Sequence, residues 1–519
     1  MLLTSVNYFV FSFRGSEFAP YDFLAFHTAL DVAGQYQYDI EASFAYAWCV
    51  IADYIAFGYS IPKTEKCPIF SKNHIGFVCA ELIVIAVLNI GLKSISKEEY
   101  RNNGAIRNGY LLNFVKKIDF KQIEVPAGYD VDSIVNCENA YNVNENFVAG
   151  PNVIVIMNES FADLRIMGDL RTNIEVTPFF DSLMDRTIHG YALASSIGGG
   201  TCNSEYTFLT GNNMGFFPDG VYPYQQYIKK PTWSIFTEME RRGYYTIATH
   251  PEQPTNWMRE TVYPLFGIDA SYFIDAYSQA NLIRQHVSDQ ETYEKIIELY
   301  EDARQEQTKS VFLLGVTMQN HGGYEAEDFD SIVKLKEYSQ EYPTVEQYLT
   351  LVHYSDQALE YLISYFEALS EPVVVLFFGD HLPAFPGTFY SELHNGGFET
   401  LEEQMLQYTV PFFVWANYEI EACDIGLTSL NFLSNYVYEA AGLPLPAYNE
   451  FMKEVQSVIP AMNAYGYYSK AQGTFVPYEQ ATGEEADILE KYQILQYNCM
   501  FDEENRSEIF FPTPDIEVP

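Results

Sequence analysis

Positive charge is scarce in this sequence. Lysine and arginine number 29 against 70 aspartates and glutamates, for a formal net charge of -41. The basic residues form no stripe, which argues against nucleic acid as a partner. So acidic a surface is also a poor match for bare anionic lipid headgroups. An anionic substrate would need a local site, with a bound cation as the natural source of compensating charge. Elsewhere the acidity makes a well-solvated surface. Cysteine pairing is lacking as well. The seven cysteines (Cys49, Cys67, Cys79, Cys137, Cys202, Cys423 and Cys499) are odd in number and scattered, with no C-x-x-C. That spacing excludes a disulfide framework and a zinc ribbon. Internal repeats and low-complexity blocks are absent too. The opening "MLLTSVNYFVFSFR" lacks the charged start and small-residue cleavage site of a secretory leader, so none is expected.

Long apolar runs are few, and both lie early. Residues 43–61, "SFAYAWCVIADYIAFGYSI", are broken only by Asp53, and residues 74–92, "HIGFVCAELIVIAVLNIGL", only by Glu81. Each run, at about 19 residues, is long enough to cross a bilayer as a helix. Lys63, Lys66 and Lys72 in the loop between them place that loop in the cytoplasm by the positive-inside preference. The remainder would then lie outside the cell, on a chain held at the cell membrane. The expected organisation is an external N-terminal segment (1–42), two transmembrane helices (43–92), a helical connector (93–148), a catalytic domain (149–445) and a C-terminal appendage (446–519). From residue 149 short apolar β-rich runs alternate with longer amphipathic segments, the pattern of an α/β sheet flanked by helices.

Four of those runs end in residues that carry chemistry. "NVIVIM" (152–157) empties into "NES" with Glu159, and "YYTIAT" (244–249) into His250. "VFLLGVTM" (311–318) empties into "QNHGG" with His321, and "VVVLFF" (373–378) into "GDH" with Asp380 and His381. Continuous apolar runs suit central parallel strands covered on both faces, and open α/β sheets bind ligands beyond the carboxyl ends of their strands. One sheet edge would then collect a glutamate, an aspartate and three histidines. Two carboxylates and an imidazole, from Glu159, Asp380 and His381, form a mixed oxygen and nitrogen set suited to Mn²⁺, Mg²⁺ or Zn²⁺. A hydroxyl can complete it.

The stretch "SSIGGGTCNSEYTFLTG" (195–211) offers that hydroxyl. Three glycines allow a tight turn and close approach to a ligand, and the residues after them read as the start of a helix. A helix N-terminus favours an anion through its dipole and free backbone N–H groups. Thr201 and Cys202 both stand at that position. Thr201 becomes a plausible nucleophile beside a metal, which lowers a hydroxyl's pKa; without one it would be a simple N-cap residue.

"PNVIVIMNES", "GGGTCNSEYTFLTG", "TMQNHGGY" and "FFGDHLP", in this order, resemble the lipoteichoic acid synthase and phosphoglycerol transferase group of the sulfatase-like branch of the alkaline phosphatase superfamily. The resemblance covers roughly residues 149–440. It implies a sulfatase-like mixed sheet flanked by helices. It also implies Glu159, Thr201, Asp380 and His381 as metal ligands, Thr201 as nucleophile, and Mn²⁺ as the usual metal. His321 matches a histidine near the substrate phosphate, and is thereby a second catalytic candidate. His250, Trp257 and Arg259 in "THPEQPTNWMRE" match residues that bind glycerol phosphate, with Glu252 where the family can have an aspartate. Sulfatases themselves carry a modified cysteine or serine in C/S-x-P-x-R, whereas Cys202 sits in "CNSEY" and reads as a packing residue. The implied function is transfer of glycerol phosphate from phosphatidylglycerol to a glycan, glycolipid or polyglycerolphosphate acceptor. A phosphodiesterase or sulfatase-type hydrolase, or a phosphoethanolamine transferase, is the alternative.

Overall fold

The computed structural model describes residues 2–14, 17–23, 123–141 and 149–514 except 219 and 308, with 44, 48–50, 52, 110 and 114 as isolated positions. The expected span 43–61 falls almost entirely outside the described residues, and 74–92 wholly so. Among the described residues no helix is long and apolar enough to cross a membrane. The two expected membrane helices thus lie outside what the structure describes.

Twelve strands are described. Eight form one sheet: β1 (Asn152–Asn158), β2 (Ile188–Leu193), β3 (Tyr245–Thr249), β4 (Ala270–Tyr272), β7 (Val311–Val316), β8 (Val373–Gly379), β9 (Thr409–Ala416) and β10 (Cys423–Ser429). Two short ribbons pair β5 (Leu282–Ile283) with β6 (His286–Val287), and β11 (Tyr467–Ser469) with β12 (Thr474–Val476). The large sheet runs β10-β2-β9-β8-β1-β7-β3-β4. β9 alone is antiparallel to its neighbours, β8 and β2; every other pairing is parallel. This is the expected α/β architecture with a mixed sheet.

Every residue of β1, β7 and β8 is buried, as continuous Val, Ile, Leu and Phe runs require when both faces are covered. Successive side chains leave a strand on opposite faces, so Phe377 and Phe378 locate two helical layers. Phe378 meets Phe208 of the helix Thr201–Thr210 at 5.2 Å between ring centroids, while Phe377 meets Phe180 of the helix Pro178–Ser182 at 6.0 Å. The helices Ile235–Arg241 and Asp289–Glu306 divide the same way. Phe236 packs on Phe312, and Ile296 lies against Gly315, where a Cβ would stand 2.3 Å from it.

The residues read as a C-terminal appendage share this core. Ile488, Leu489, Tyr492, Leu495, Phe510 and Phe511 belong to the same apolar cluster as β1 and β8. Tyr448 and Tyr492, from the helices Ala447–Val458 and Glu484–Phe501, donate hydroxyl hydrogen bonds to the Gly211 carbonyl at 3.3 and 2.5 Å. That carbonyl lies just beyond the C-terminus of the Thr201–Thr210 helix. Of the connector, residues 123–141 dock on the same segment: Tyr129 donates to Asp502 at 2.7 Å, and Ser507 donates to Glu138 at 2.5 Å.

Candidate active site

β1, β3, β7 and β8 are parallel, so their carboxyl ends open on one edge of the sheet. The structure places Glu159 directly after β1, His250 after β3, His321 five residues beyond β7, and Asp380 and His381 directly after β8. β2 runs in the same direction and brings the glycine stretch to this edge. Gly198, Gly199 and Gly200 have φ of +66°, +146° and +82°, a run that side chains with a Cβ adopt only under strain. The turn they make is tied to the loop after β8: the Gly198 amide donates to Leu382 O at 2.7 Å. Thr201 follows as the first residue of a helix whose ten residues are all buried.

Four candidate ligands meet there. The Thr201 hydroxyl donates to Glu159 Oε2 at 3.2 Å. The His381 ring lies 3.7 Å from Glu159 Oε1 and 3.3 Å from Asp380 Oδ2, both measured from Nε2. One donor atom each of Glu159, Asp380 and His381 lies within 4.8 Å of the others. All four side chains are buried. Ser160 knits the set: its amide donates to Asp380 Oδ1 at 2.6 Å and its hydroxyl to Glu159 Oε1 at 3.1 Å. It does so from the left-handed region, φ +51°, a strain of the sort that gathers at functional sites. Gly379 must be glycine, because a Cβ there would stand 1.9 Å from Phe161 O.

These residues fit a divalent cation. His381 Nδ1 lies 3.0 Å from Leu382 O; a carbonyl only accepts, so Nδ1 carries a proton and Nε2 is the ring atom left to face the two carboxylates. That Nε2 and Asp380 Oδ2 are enclosed and have no hydrogen-bond partner, a cost a native site carries for a reason. Burial, and next the Asp380 charge, hold the Glu159 carboxyl well above the usual carboxylate range. A cation against both carboxylates relieves that repulsion.

The other expected residues surround this set. His250 is buried; Nδ1, 3.1 Å from Val316 O, carries the proton. Its pKa is pushed well down by burial and then by the Arg259 charge. Arg259 is buried in an ion pair: Nε and Nη2 donate to Glu205 Oε2 at 3.1 and 2.8 Å. Glu205 lies one helical turn beyond Thr201 and also accepts from the Tyr224 hydroxyl at 2.9 Å. The guanidinium thus braces the Thr201 helix, and its charge also reaches Glu159. Trp257 and Met258 precede Arg259 in left-handed conformations, φ +54° and +59°, and the Trp257 ring lies 4.8 Å from that of Tyr222. Glu252 starts the same loop and accepts from the Gln253 amide. His321 is half-buried, its pKa pushed down to about 4 by burial, then by the Arg284 charge.

Sequence reasoning missed several supports. Glu205 was findable, since in a helix the fourth residue after Thr201 shares its face. A buried network ties the loops after β1 and β7: Asn158 donates to Asp289 at 2.7 Å, Asn320 to Asn158 at 3.0 Å, and Ser355 to Asp289 at 2.6 Å. Arg284 clamps the His321 loop by donating to the carbonyls of Gln319, His321 and Gly323. No local pattern announces these contacts, which join residues far apart in the chain.

The sulfatase family model matches residues 151–443. The chain belongs to the sulfatase family. Within it, the chain is 27% identical over 426 residues to a Rhizobium meliloti (strain 1021) protein named for cyclic beta-1,2-glucan modification, covering 80% of this chain and 64% of that one. It is 25% identical over 414 residues to the lipoteichoic acid synthase of Staphylococcus saprophyticus, covering 73% of this chain and 61% of that one. The chain thus spans less than two thirds of either relative. Among solved structures, the Streptococcus pyogenes phosphoglycerol transferase GacH in complex with sn-glycerol-1-phosphate shares the fold. Its TM-score is 0.61 at 20% identity, over 74% of this chain and 97% of that one. The sulfatase-family sheet expected from the four motifs is the sheet observed.

Proposed function

We propose that this chain is a metal-dependent phosphoglycerol transferase. It would move glycerol phosphate from phosphatidylglycerol to a cell-envelope glycan, glycolipid or polyglycerolphosphate acceptor, through an intermediate on Thr201. The observation that carries the reading is the Thr201 hydroxyl, at the N-terminus of a buried helix and within hydrogen-bond reach of Glu159, beside the unpartnered Asp380 Oδ2 and His381 Nε2. The lipoteichoic acid synthase relatives and the glycerol-phosphate complex of the structural neighbour support the substrate class.

Glu159, Asp380, His381 and Thr201 would hold the cation, with Mn²⁺ proposed. Once bound, it lowers the hydroxyl's pKa and offsets charge on the phosphoryl oxygens. Thr201 Oγ1 would form the bond to phosphorus as its proton passes to Glu159, and the bond from phosphorus to the diacylglycerol oxygen would break, that oxygen taking up the released proton to leave as the alcohol. Glu159 receives the hydroxyl's hydrogen bond and orients it. His321, neutral in the free protein, offers an N–H to the leaving or phosphoryl oxygen. His250, Trp257 and Arg259 flank the place for the glycerol end. An acceptor hydroxyl then takes the group and restores Thr201. The same proposal sets the catalytic part outside a cell membrane, where such a lipid and acceptor meet.

The test is the mass of the Thr201 peptide after incubation with phosphatidylglycerol. A glycerophosphate adduct is expected, absent in Thr201→Ala and retained in Cys202→Ala. No adduct together with steady release of glycerol phosphate to water would make the chain a hydrolase. An adduct on Cys202 would overturn the nucleophile assignment.

A further inference from the structure

His286 stands on the short ribbon of β5 and β6, outside every motif described above. It is buried, and its Nε2 is enclosed with no hydrogen-bond partner. Its ring lies 5.3 Å from that of His321, centroid to centroid, and His321 Nδ1 is likewise enclosed and unpartnered. An enclosed nitrogen without a partner carries the full cost of its lost hydration. Two such atoms in neighbouring rings have one common remedy, an N–H···N hydrogen bond. Such a bond, with nitrogens about 2.9 Å apart and each about 1.15 Å from its ring centre, sets centroids about 5.2 Å apart. The observed separation of 5.3 Å is within about 0.1 Å of that value, so the rings stand at the spacing such a bond requires.

We propose that His286 is a positioning residue for His321: its Nε2–H donates to His321 Nδ1 and thereby keeps the His321 proton on Nε2, the nitrogen left to meet a substrate oxygen. A neutral imidazole has one N–H and one lone pair, so the nitrogen that accepts decides where the proton sits. The ribbon is held over the His321 loop by Arg284, whose guanidinium donates to the His321 carbonyl at 2.6 Å and to that of Gln319 at 3.0 Å. The Arg284 charge disfavours a second proton on either ring, which keeps the pair in the neutral state this bond requires. The catalytic consequence rests on the transferase reading above; the hydrogen bond itself does not.

The test uses the full chain labelled with ¹⁵N-histidine, the His321 signals being assigned by their loss in His321→Gln. A coupling between His286 Nε2 and His321 Nδ1 is expected, with the His321 proton on Nε2. In His286→Phe the coupling must vanish and the His321 ¹⁵N shifts must move. If transfer from phosphatidylglycerol is observed, His286→Phe should lower kcat about tenfold, the scale of one hydrogen bond, with little change in KM. His286→Gln, whose amide can donate, should recover part of the loss. Absence of the coupling in the unmodified chain, or unchanged His321 shifts in a folded His286→Phe, overturns the proposal. Absence of any turnover with the coupling present defeats the transferase reading alone.

Discussion

Arg259 shows how a residue expected at the substrate can also hold the site together. Its Nε and Nη2 are engaged by Glu205 while both side chains are essentially excluded from solvent. Removing one member of a buried pair leaves the other charged and unpaired, at a cost of roughly 3–5 kcal/mol. Arg259→Ala is therefore expected to lose about that much stability to urea. Arg259→Lys keeps the charge but not the planar fork and should fall between. Urea melts of both variants check this; an Arg259→Ala chain as stable as the parent would show that Glu205 finds another partner. If Arg259→Lys lowers kcat/KM beyond its effect on folding, the guanidinium also serves the substrate.

At the scale of elements, the site is a convergence of loops from one sheet edge, and its tolerances are set by backbone contacts. Gly379 ends β8 with Phe161 O pressed where a Cβ would stand. Overpacking of this kind costs typically 1–3 kcal/mol, and here the displaced atoms adjoin Ser160 and Asp380. Gly379→Ala is expected to destabilise by about that amount and to lose bound metal, read by unfolding and by metal analysis of dialysed protein. Full metal content would separate strand geometry from the cation site. The strand ends were legible in the sequence because Glu159, His250, Asp380 and His381 each follow a short β-rich run, unbroken and apolar before Glu159 and Asp380. β2 was not legible: "IHGYAL" mixes a histidine, a glycine and a tyrosine into a strand, two of whose positions are only half-buried. Its place beside β9 comes from the sheet, not from periodicity. The packing of residues 446–514 was hidden by composition. Tyrosines that read as polar are buried there, with hydroxyls satisfied inside, as Tyr448 and Tyr492 are at Gly211. Pairings such as Glu205 with Arg259 span 54 positions, beyond any local pattern.

Across the whole molecule, two buried histidines and the half-buried His321 give the folded chain a definite response to acid. His250, His286 and His321 all have pKa values lowered from 6.5, with burial as the largest cause. Below that value the unfolded chain binds protons that the folded chain refuses. Stability therefore falls as pH drops from 6.5, for His321 through about 4. Glu159 acts with opposite sign: its raised pKa stabilises the metal-free fold at low pH, and that share is lost as pH rises past the ordinary carboxyl value of 4.5. Metal-free protein should thus show a Tm that declines between pH 6.5 and 5, and His321→Gln should decline less steeply. Equal slopes would mean that His321 takes up its proton without unfolding.

The clamp on the end of the Thr201 helix carries one more consequence, in time rather than space. The Gly211 carbonyl accepts from Tyr492, 281 positions further along the chain. A ribosome makes Thr201 long before it makes the residue that secures the end of its helix. Over those 281 positions the growing chain holds Thr201 without that clamp. The order of the helix and its clamp is therefore set by folding after both are made, not by the order of synthesis.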